Sequence, residues 1–257
     1  MASKYNKLAG KHVLVIGGSS GIGLGVAEAS LASGANVTIS SSSPAKLSAV
    51  VSSLQKAIPS SSQQKIQKFE ANLSGPDAEA NIEAAFQQAG PIDHVVFTAA
   101  NTPSLMMLQD VTPDKILAAC QMRFVAPLMV AKVAEKYLPK SNESSFTITS
   151  GSAAQKSTPG WSVISYLAGG LRSVVKQLAV ELKPVRVNVV APGFVDTELW
   201  DGMKTHEKKY MVKAVEEKVP TGRFGTVEDV AEAYLWLMKD RNVTGTVAAT
   251  DSGALVV

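Results

Sequence analysis

The residues Val13–Ala29 read VLVIGGSSGIGLGVAEA, in which an aliphatic run is followed by a glycine-rich turn and then by a helical pattern. The glycines of the turn are spaced G-x-x-x-G-x-G. Small residues allow a tight turn, and the N-terminus of the following helix favours a phosphate group. The pattern predicts a nucleotide site, although an ordinary glycine-rich β–α turn would use the same residues. The candidate binding residues of this turn are Gly17, Ser19, Ser20, Gly21, Ile22 and Gly23.

Short β-rich runs alternate with longer amphipathic segments along the whole chain. Several runs are continuous Val and Ile, which is typical of strands covered on both faces. This alternation predicts one domain over residues 1–257, an α/β fold with a Rossmann-like, doubly wound parallel sheet of about seven strands and helices on both faces. Pro127 lies inside a long helical pattern and should kink it. The strand runs begin at His12, Asn36, Lys65, Asp93, Ser145, Val185 and Gly245.

Composition and charge narrow the class of protein. Of the 257 residues, 46% are hydrophobic and 18% are charged, and the formal net charge is +3. The basic residues form no stripe, so we expect no nucleic-acid partner. Cys120 is the single cysteine, which precludes an intrachain disulfide and fits a reducing compartment. Because no apolar run approaches ~20 residues, we expect a cytoplasmic protein without membrane association. We also expect a small-molecule substrate and no metal site.

The end of the second predicted strand indicates which nucleotide the turn would bind. NAD sites usually hold the ribose hydroxyls there with an Asp or Glu, whereas this chain reads ISSSSPAKL without a carboxylate. Ser43 and Pro44 look like an N-cap and a first helical residue. The free N–H groups of that turn, together with Ser41, Ser42 and Lys46, could hold a 2′-phosphate. We therefore expect NADP(H), with a merely polar, capped turn as the alternative.

Further motifs make the chain resemble the short-chain dehydrogenase/reductase family over nearly its whole length. ANLS at 71–74 stands where that family contacts adenine, and FTAAN at 97–101 resembles its Asn-Asn-Ala-Gly segment. RVNVVAPGFVDT at 186–197 resembles the family's loop after the sixth strand, which flanks the nicotinamide. The cofactor-binding residues that this resemblance implies are Asn72, Leu73, Ala99, Ala100, Pro192, Gly193, Val195 and Thr197.

The catalytic group of the resembled family is a Ser and a Tyr-x-x-x-Lys pair on one helix. In that family Tyr is the general acid/base, Lys lowers its pKa, and Ser positions the substrate oxygen. Ser150, in TITSGSAA, matches the family serine. The segment at 160–175, GWSVISYLAGGLRSVV, occupies the place of the pair. Aligning QLAVEL at 177–182 with the family pattern puts Ile164 and Ala168 at the Tyr and Lys positions.

Tyr166 does not restore the pair. It lies two residues from the Tyr position, about 200° around the helix, and therefore faces elsewhere. A register that uses Tyr166 puts Gly170 at the Lys position, so both registers lack the Lys. A positioned general acid contributes about 10²–10⁴-fold to a rate. An iminium ion needs no such acid, because hydride addition neutralises its positive charge.

Two more side chains are candidates for this pocket. Arg123 stands where the resembled family has a catalytic Asn, and its neighbours in sequence are apolar. A charge among apolar neighbours needs a partner, so we prefer a pocket role over a surface arginine. Trp161 begins the catalytic helix and is a candidate substrate platform, with plain packing as the commoner alternative. The segment at 199–219 is expected to form a substrate lid, since the family varies there.

The combined residues predict an NADPH-dependent short-chain reductase of secondary metabolism that transfers hydride to a small, preactivated, iminium-like substrate. The chain resembles a fungal subset of the family from indole-alkaloid pathways, in which some members also promote a cycloaddition. Those members have an Asp before PGW, where this chain has Thr158. The alternatives are a nucleotide-binding sensor or scaffold without turnover and a cofactor-assisted cyclase. The resemblance also implies a homodimer or homotetramer.

Overall fold

Seven parallel strands form one sheet at the centre of the computed structural model, which describes residues 4–57, 63–103 and 105–257. The strand order is β3-β2-β1-β4-β5-β6-β7, and each neighbouring pair is parallel. The predicted α/β, Rossmann-like architecture is confirmed. The strands are β1 (His12–Ile16), β2 (Asn36–Ser41), β3 (Ile66–Glu70), β4 (His94–Phe97), β5 (Ser145–Thr149), β6 (Arg186–Pro192) and β7 (Val247–Thr250).

Helices cover both faces of the sheet, as the sequence predicts. They are α1 (Gly21–Ala32), α2 (Pro44–Ala57), α3 (Ala78–Ala89), α4 (Pro113–Cys120), α5 (Ala126–Tyr137), α6 (Ser162–Glu181), α7 (Thr205–Glu216) and α8 (Val227–Lys239). Alternate side chains of a strand point to opposite faces. Val13 and Val15 of β1 join a buried cluster with α1, α2 and α8, whereas Leu14 and Ile16 join one with α3, α5 and α6.

A π-helical turn over Gln121–Val125 joins α4 to α5. Pro127, in the first turn of α5, has no amide hydrogen, and its ring crowds the carbonyl group of Arg123, four residues earlier. The wider π turn accommodates both defects, and such turns are frequent at functional sites. The distortion that the sequence predicts at Pro127 is therefore found in the preceding turn, which carries Arg123.

The segments from α4 to α5 form a continuous helical stretch of 25 residues, Pro113–Tyr137. Its most apolar window of 18 residues has a mean hydropathy of 1.5, and 33% of that window is buried. By length and composition alone, this stretch is able to cross a membrane. The finding corrects the expectation that no segment approaches such a length. A core helix of a soluble protein meets the same criteria, so the stretch by itself assigns no membrane role.

A buried arginine fastens α8 to the sheet. Arg186 of β6 donates hydrogen bonds to the carbonyl oxygens of Leu237 and Met238, the latter at 2.8 Å. It also donates to the carbonyl oxygen of Asn142 at 2.7 Å. The last carbonyl groups of a helix lack intrahelical partners, and a cation there is favourable. Burial lowers the pKa of Arg186 to about 10, so the side chain stays charged at neutral pH.

The buried imidazole of His94 should make the stability of the fold sensitive to acid. Burial lowers the pKa of His94 to about 3, and its Nδ1 lies 2.9 Å from Ser145 Oγ. In the unfolded chain the same imidazole binds a proton below pH ~6.5. The contribution of His94 to the free energy of unfolding is thus fully present above pH ~6.5. It falls as the pH drops toward 3, by about 1.4 kcal/mol for each pH unit.

Urea unfolding at a series of pH values between about 7 and 5 measures this slope. The His94→Asn variant cannot titrate there, so its unfolding free energy should decline less steeply than that of the natural chain. Identical slopes in the two proteins would contradict the assignment. The comparison cancels the contributions of the other two histidines, His12 and His206.

Candidate active site

A crevice opens where the strand order changes direction. β1 lies between β2 and β4, and the connections that leave these strands run to opposite sides. In open parallel sheets, ligands bind at such a point, outside the carboxyl ends of the strands. A cavity of about 440 Å³ lies there and is bounded by the ends of β1, β2, β4, β5 and β6.

Backbone contacts hold the glycine-rich turn against the end of β4. The hydroxyl of Thr98 lies 3.2 Å from the carbonyl oxygens of both Ile16 and Gly17 and donates to them. A Cβ on Gly17 would lie 2.4 Å from the amide nitrogen of Ala99, and one on Gly23 would lie 2.2 Å from Gly17 O. Both positions therefore require glycine, and the turn brings the start of α1 to the cavity.

The first turn of α1 presents free backbone donors. Its N-cap residue, Ser20, forms no side-chain cap hydrogen bond, and the first turn contains no acidic residue. The first N–H groups of a helix have no intrahelical partner, and the helix dipole adds positive charge at this end. This donor set fits the diphosphate of a dinucleotide.

Three serines and a lysine form the far end of the cavity. Ser19 Oγ donates to Ser41 Oγ at 2.7 Å, and the Ser43 amide donates to the same oxygen at 3.3 Å. The proton of Ser41 is left to donate elsewhere. Ser43 Oγ accepts from the amide of Lys46 at 3.4 Å, which confirms the predicted N-cap of α2. The Lys46 ammonium forms no ion pair with any described residue. This end therefore suits an additional phosphate.

The structure brings most of the predicted site residues to this one cavity. The predicted residues that line it are Gly17, Ser19, Ser20, Gly21, Ile22, Gly23, Ser41, Ser42, Ser43, Lys46, Leu73, Ala99, Ala100, Arg123, Ser150, Trp161, Pro192, Gly193, Val195 and Thr197. Asn72 is the exception. Its side-chain oxygen accepts a hydrogen bond from the amide of Ser74 at 2.9 Å, so the side chain turns back onto its own loop and does not line the cavity.

Apolar side chains occupy the two α6 positions that the sequence aligns with the Tyr and Lys of the resembled family. Ile164 lines the cavity, and Ala168 is buried one turn further along α6. Tyr166 is 83% exposed and points into solvent. None of the described cavity residues is a tyrosine, and Lys46, at the far end, is their one lysine.

The hydroxyl of Ser150 is turned toward α6. Ser150 Oγ donates a hydrogen bond of 2.8 Å to the carbonyl oxygen of Ala168. Because that bond uses the only proton of the hydroxyl, the oxygen faces the cavity as an acceptor. Ser150 thus offers a lone pair, which suits an N–H group or a positive charge better than a developing oxyanion.

Arg123 is the cation nearest to this part of the cavity. It projects from the π turn, and its Nη2 donates to the carbonyl oxygen of Asn101 at 3.0 Å. No carboxylate of the described residues pairs with it. Burial lowers the pKa of Arg123, yet a guanidinium retains its charge at neutral pH. Its remaining N–H donors are available to a carbonyl or carboxylate group of a ligand.

Aromatic rings form the wall beyond β6. Phe194 packs against Trp161 and Trp200, with ring centroids 6.1 Å and 5.7 Å apart. Trp200 Nε1 donates to the carbonyl oxygen of Val195 at 2.9 Å, which fixes the indole over the loop. The sequence predicts a role for Trp161 and does not single out the other two rings. Their position in the loop after a parallel strand, where crevice residues lie, was the available signal.

The expected lid begins with residues that do reach the cavity. Leu199 and Trp200 line it, and α7 follows them along the chain. Closure of this segment over a substrate remains a prediction.

Among the described residues, no three His, Cys, Asp or Glu side chains are grouped so as to hold a metal ion.

Sheet order, glycine-rich turn and cavity together define a dinucleotide-binding protein of the Rossmann class. More narrowly, the chain belongs to the short-chain dehydrogenase/reductase family, because the family model for the SDR-like Rossmann domain matches residues 4–257.

Relatives and solved structures agree with this family. The short-chain dehydrogenase/reductase fsr5 of Gibberella fujikuroi is 44% identical, and the match covers 98% of each chain. The structure of the MalC reductase/Diels-Alderase from Malbranchea aurantiaca has a TM-score of 0.92 and 38% identity, with 100% of both chains covered. A small-chain dehydrogenase in complex with NADPH has a TM-score of 0.78 and 26% identity, covering 96% of this chain and 100% of that one.

Proposed function

We propose that this protein is an NADPH-dependent reductase that delivers hydride to a preactivated, iminium-like carbon. One observation carries the proposal: a single cavity joins the phosphate-binding turn to the β6 loop, and Ile164 lines it, with Ala168 buried one turn further along α6. The sequence predicts that these two positions correspond to the family's acid/base pair. A similar solved protein is described in complex with NADPH, and another as a reductase, which supports the cofactor and the reaction.

The charge around the cavity supports the 2′-phosphorylated cofactor. Among the described residues, the Ser41 hydroxyl proton and the Lys46 ammonium have no partner, and no carboxylate lines this end of the cavity. A carboxylate there would repel a 2′-phosphate, whereas charge-assisted hydrogen bonds to it are favourable. The α1 N-terminus would hold the diphosphate, and the β6 loop from Pro192 would flank the nicotinamide.

The substrate end of the cavity can orient a molecule but cannot protonate it. NADPH supplies a hydride when bound. The Arg123 guanidinium hydrogen-bonds an acceptor and does not release a proton at neutral pH. Ser150 Oγ donates its hydrogen bond to Ala168 O and presents a lone pair to the cavity. Among the described residues of the substrate end, a ketone therefore finds no tyrosine or lysine to act as its acid, whereas a cationic iminium carbon requires no acid.

Two other functions are compatible with the same cavity. A sensor or scaffold would bind the nucleotide without turnover, but it would have no need of a substrate wall made by Trp161, Phe194 and Trp200. A cyclase is suggested by the Diels-Alderase activity in the name of the MalC protein. Thr158, which replaces an Asp of that type of enzyme, is exposed and lies outside the cavity, so we favour the reductase.

An exposed apolar surface on the helices supports self-association of the chain. Leu117 and Phe124 of the long helical stretch are 68% and 54% exposed, and Val180 of α6 is 61% exposed. α6 packs against both α4 and the π turn, and large apolar side chains exposed on neighbouring helices commonly mark an interface. We propose that this surface pairs two copies of the chain.

Light scattering at micromolar concentration should give a mass that is a multiple of 27.0 kDa. The Phe124→Glu variant should shift this mass toward the monomer, because it places a charge on the apolar surface. Glu135→Gln, a change at an exposed position, is the matched control and should leave the mass unaltered. A monomeric natural chain would refute the proposal.

Cofactor choice should depend on Ser41. We expect NADPH to bind more tightly than NADH in a fluorescence titration. Ser41→Asp places a carboxylate against the 2′-phosphate, so it should weaken NADPH binding by about tenfold or more while leaving NADH nearly unchanged. Ser41→Asn has a similar size without the charge and serves as the control. Equal affinities for the two nucleotides in the natural protein would sink the cofactor assignment.

Replacement of Arg123 should separate substrate handling from cofactor binding. A charged hydrogen bond contributes about 1.5–3 kcal/mol, so Arg123→Leu should slow reduction of a cyclic iminium by roughly 10–100-fold. NADPH affinity should change little, because Arg123 lies at the substrate end. Arg123→Lys keeps the charge and should recover part of the rate, measured as NADPH consumption.

The natural protein should reduce a ketone of similar size, such as cyclohexanone, much more slowly than the cyclic iminium. Ile164→Tyr combined with Ala168→Lys should raise ketone reduction, since it supplies the missing acid. Fast ketone reduction by the natural protein would contradict the proposed chemistry. NADPH binding without consumption for any activated substrate would favour the sensor or scaffold instead.

A further inference from the structure

Three carboxylates follow β6 in close succession, and only two of them have a partner. Lys208 of α7 pairs with Asp196 at 3.0 Å and with Asp201 at 3.8 Å. The side chain of Glu198, between them in sequence, forms no hydrogen bond and no ion pair with any residue that the structure describes. Glu198 is therefore the one uncompensated charge of this segment.

The Glu198 carboxylate lies at the start of α1. A Cβ placed on Gly21, the first residue of α1, would be 3.6 Å from Glu198 Oε2 and 3.2 Å from the side chain of Thr197. α1 has no acidic residue in its first turn and no side-chain cap from Ser20. The positive end of the helix dipole thus faces the carboxylate of Glu198, which comes from a different part of the chain.

Glu198 is also the only carboxylate among the described residues that line the cavity. The N-terminus of α1 is the place where the proposed function puts the cofactor diphosphate. Two negatively charged groups at one helix N-terminus repel each other, and because Glu198 is exposed, solvent and salt screen part of this repulsion.

We propose that Glu198 competes with the cofactor diphosphate for the N-terminus of α1 and sets an upper limit on nucleotide affinity. This inference rests on the proposed function, because it requires the turn to bind a dinucleotide. Diphosphate binding then requires the Glu198 side chain to turn away from Gly21. The effect concerns the diphosphate alone, so it applies equally to NADPH and NADH and leaves the preference between them unchanged.

The Glu198→Gln variant tests the competition, because it removes the charge and keeps the shape. Fluorescence titration with NADPH and with NADH at low ionic strength should show both dissociation constants lowered by about fivefold, with their ratio preserved. Raising the salt to about 0.5 M should shrink this gain, since screening acts on partly exposed charges. Inorganic diphosphate, used as a competitor of NADPH, should show the same gain.

Glu217→Gln makes the same change of net charge at an exposed position of the chain that lies outside the cavity. This control should leave both dissociation constants unaltered. Equal or weaker nucleotide binding by Glu198→Gln, with an intact melting temperature, would overturn the inference and leave the proposed function standing. A gain for NADPH but not for NADH would also overturn it. Failure of all three proteins to bind either nucleotide would overturn the proposed function itself.

Discussion

The close approach of β1, α1 and β4 at the glycine-rich turn is the constraint on which the site depends. Gly23 packs so near the carbonyl group of Gly17 that a Cβ there would lie 2.2 Å from its oxygen. Thr98 closes the third side, with its hydroxyl bonded to the end of β1. Only this spacing aims the first N–H groups of α1 into the crevice between β1 and β4. The rest of the cavity is lined by residues at the ends of β2, β4, β5 and β6, and the order of these strands around β1 fixes where those residues lie.

The apolar residues of α6 at the cavity affect the polarity of the site as well as the set of side chains that line it. In this chain Ile164 and Ala168 continue the apolar stripe of α6 up to the cavity wall, and Ser150 bonds to the backbone of that stripe. A hydroxyl that is satisfied by a carbonyl group is a poor donor to a ligand. The bond from Ser150 to this stripe is therefore consistent with the proposal that the site works without the family's acid/base pair. Arg123, which is held by the π turn next to Pro127, remains as the polar group that can orient a substrate.

Much of this architecture could be predicted from the sequence, because it follows from local patterns. Each of the seven strands falls on a run that the sequence predicts as a strand, and the glycine spacing of the turn reports a backbone requirement directly. The rest depends on contacts between distant segments. The partner of Ser150 lies 18 residues away in α6, and Phe194 meets Trp161 only after β6 has joined the sheet. The assignment of Asn72 to the cofactor stays a prediction, since its side-chain oxygen bonds to its own loop and the residue does not line the cavity. The length of the helical stretch from α4 to α5 was not predicted, because Arg123 and Pro127 interrupt its apolar residues in the sequence. In the structure the helix continues through both positions.

The placement of charge around the cavity is suited to a protein that must release its cofactor after each turnover. Cations lie at the two ends, Lys46 beside the serines and Arg123 beside the substrate wall, whereas the carboxylate of Glu198 lies at the start of α1. In the proposed function the cationic ends would select what binds, because they would match the 2′-phosphate and an acceptor group of the substrate. A carboxylate at the diphosphate position selects nothing, since the oxidised and reduced nucleotides carry the same diphosphate. Its physical consequence is weaker retention of both forms. In many enzymes, product release limits the turnover rate. A residue that weakens nucleotide binding without altering its selectivity therefore favours rapid dissociation of the used cofactor and its replacement by a fresh one.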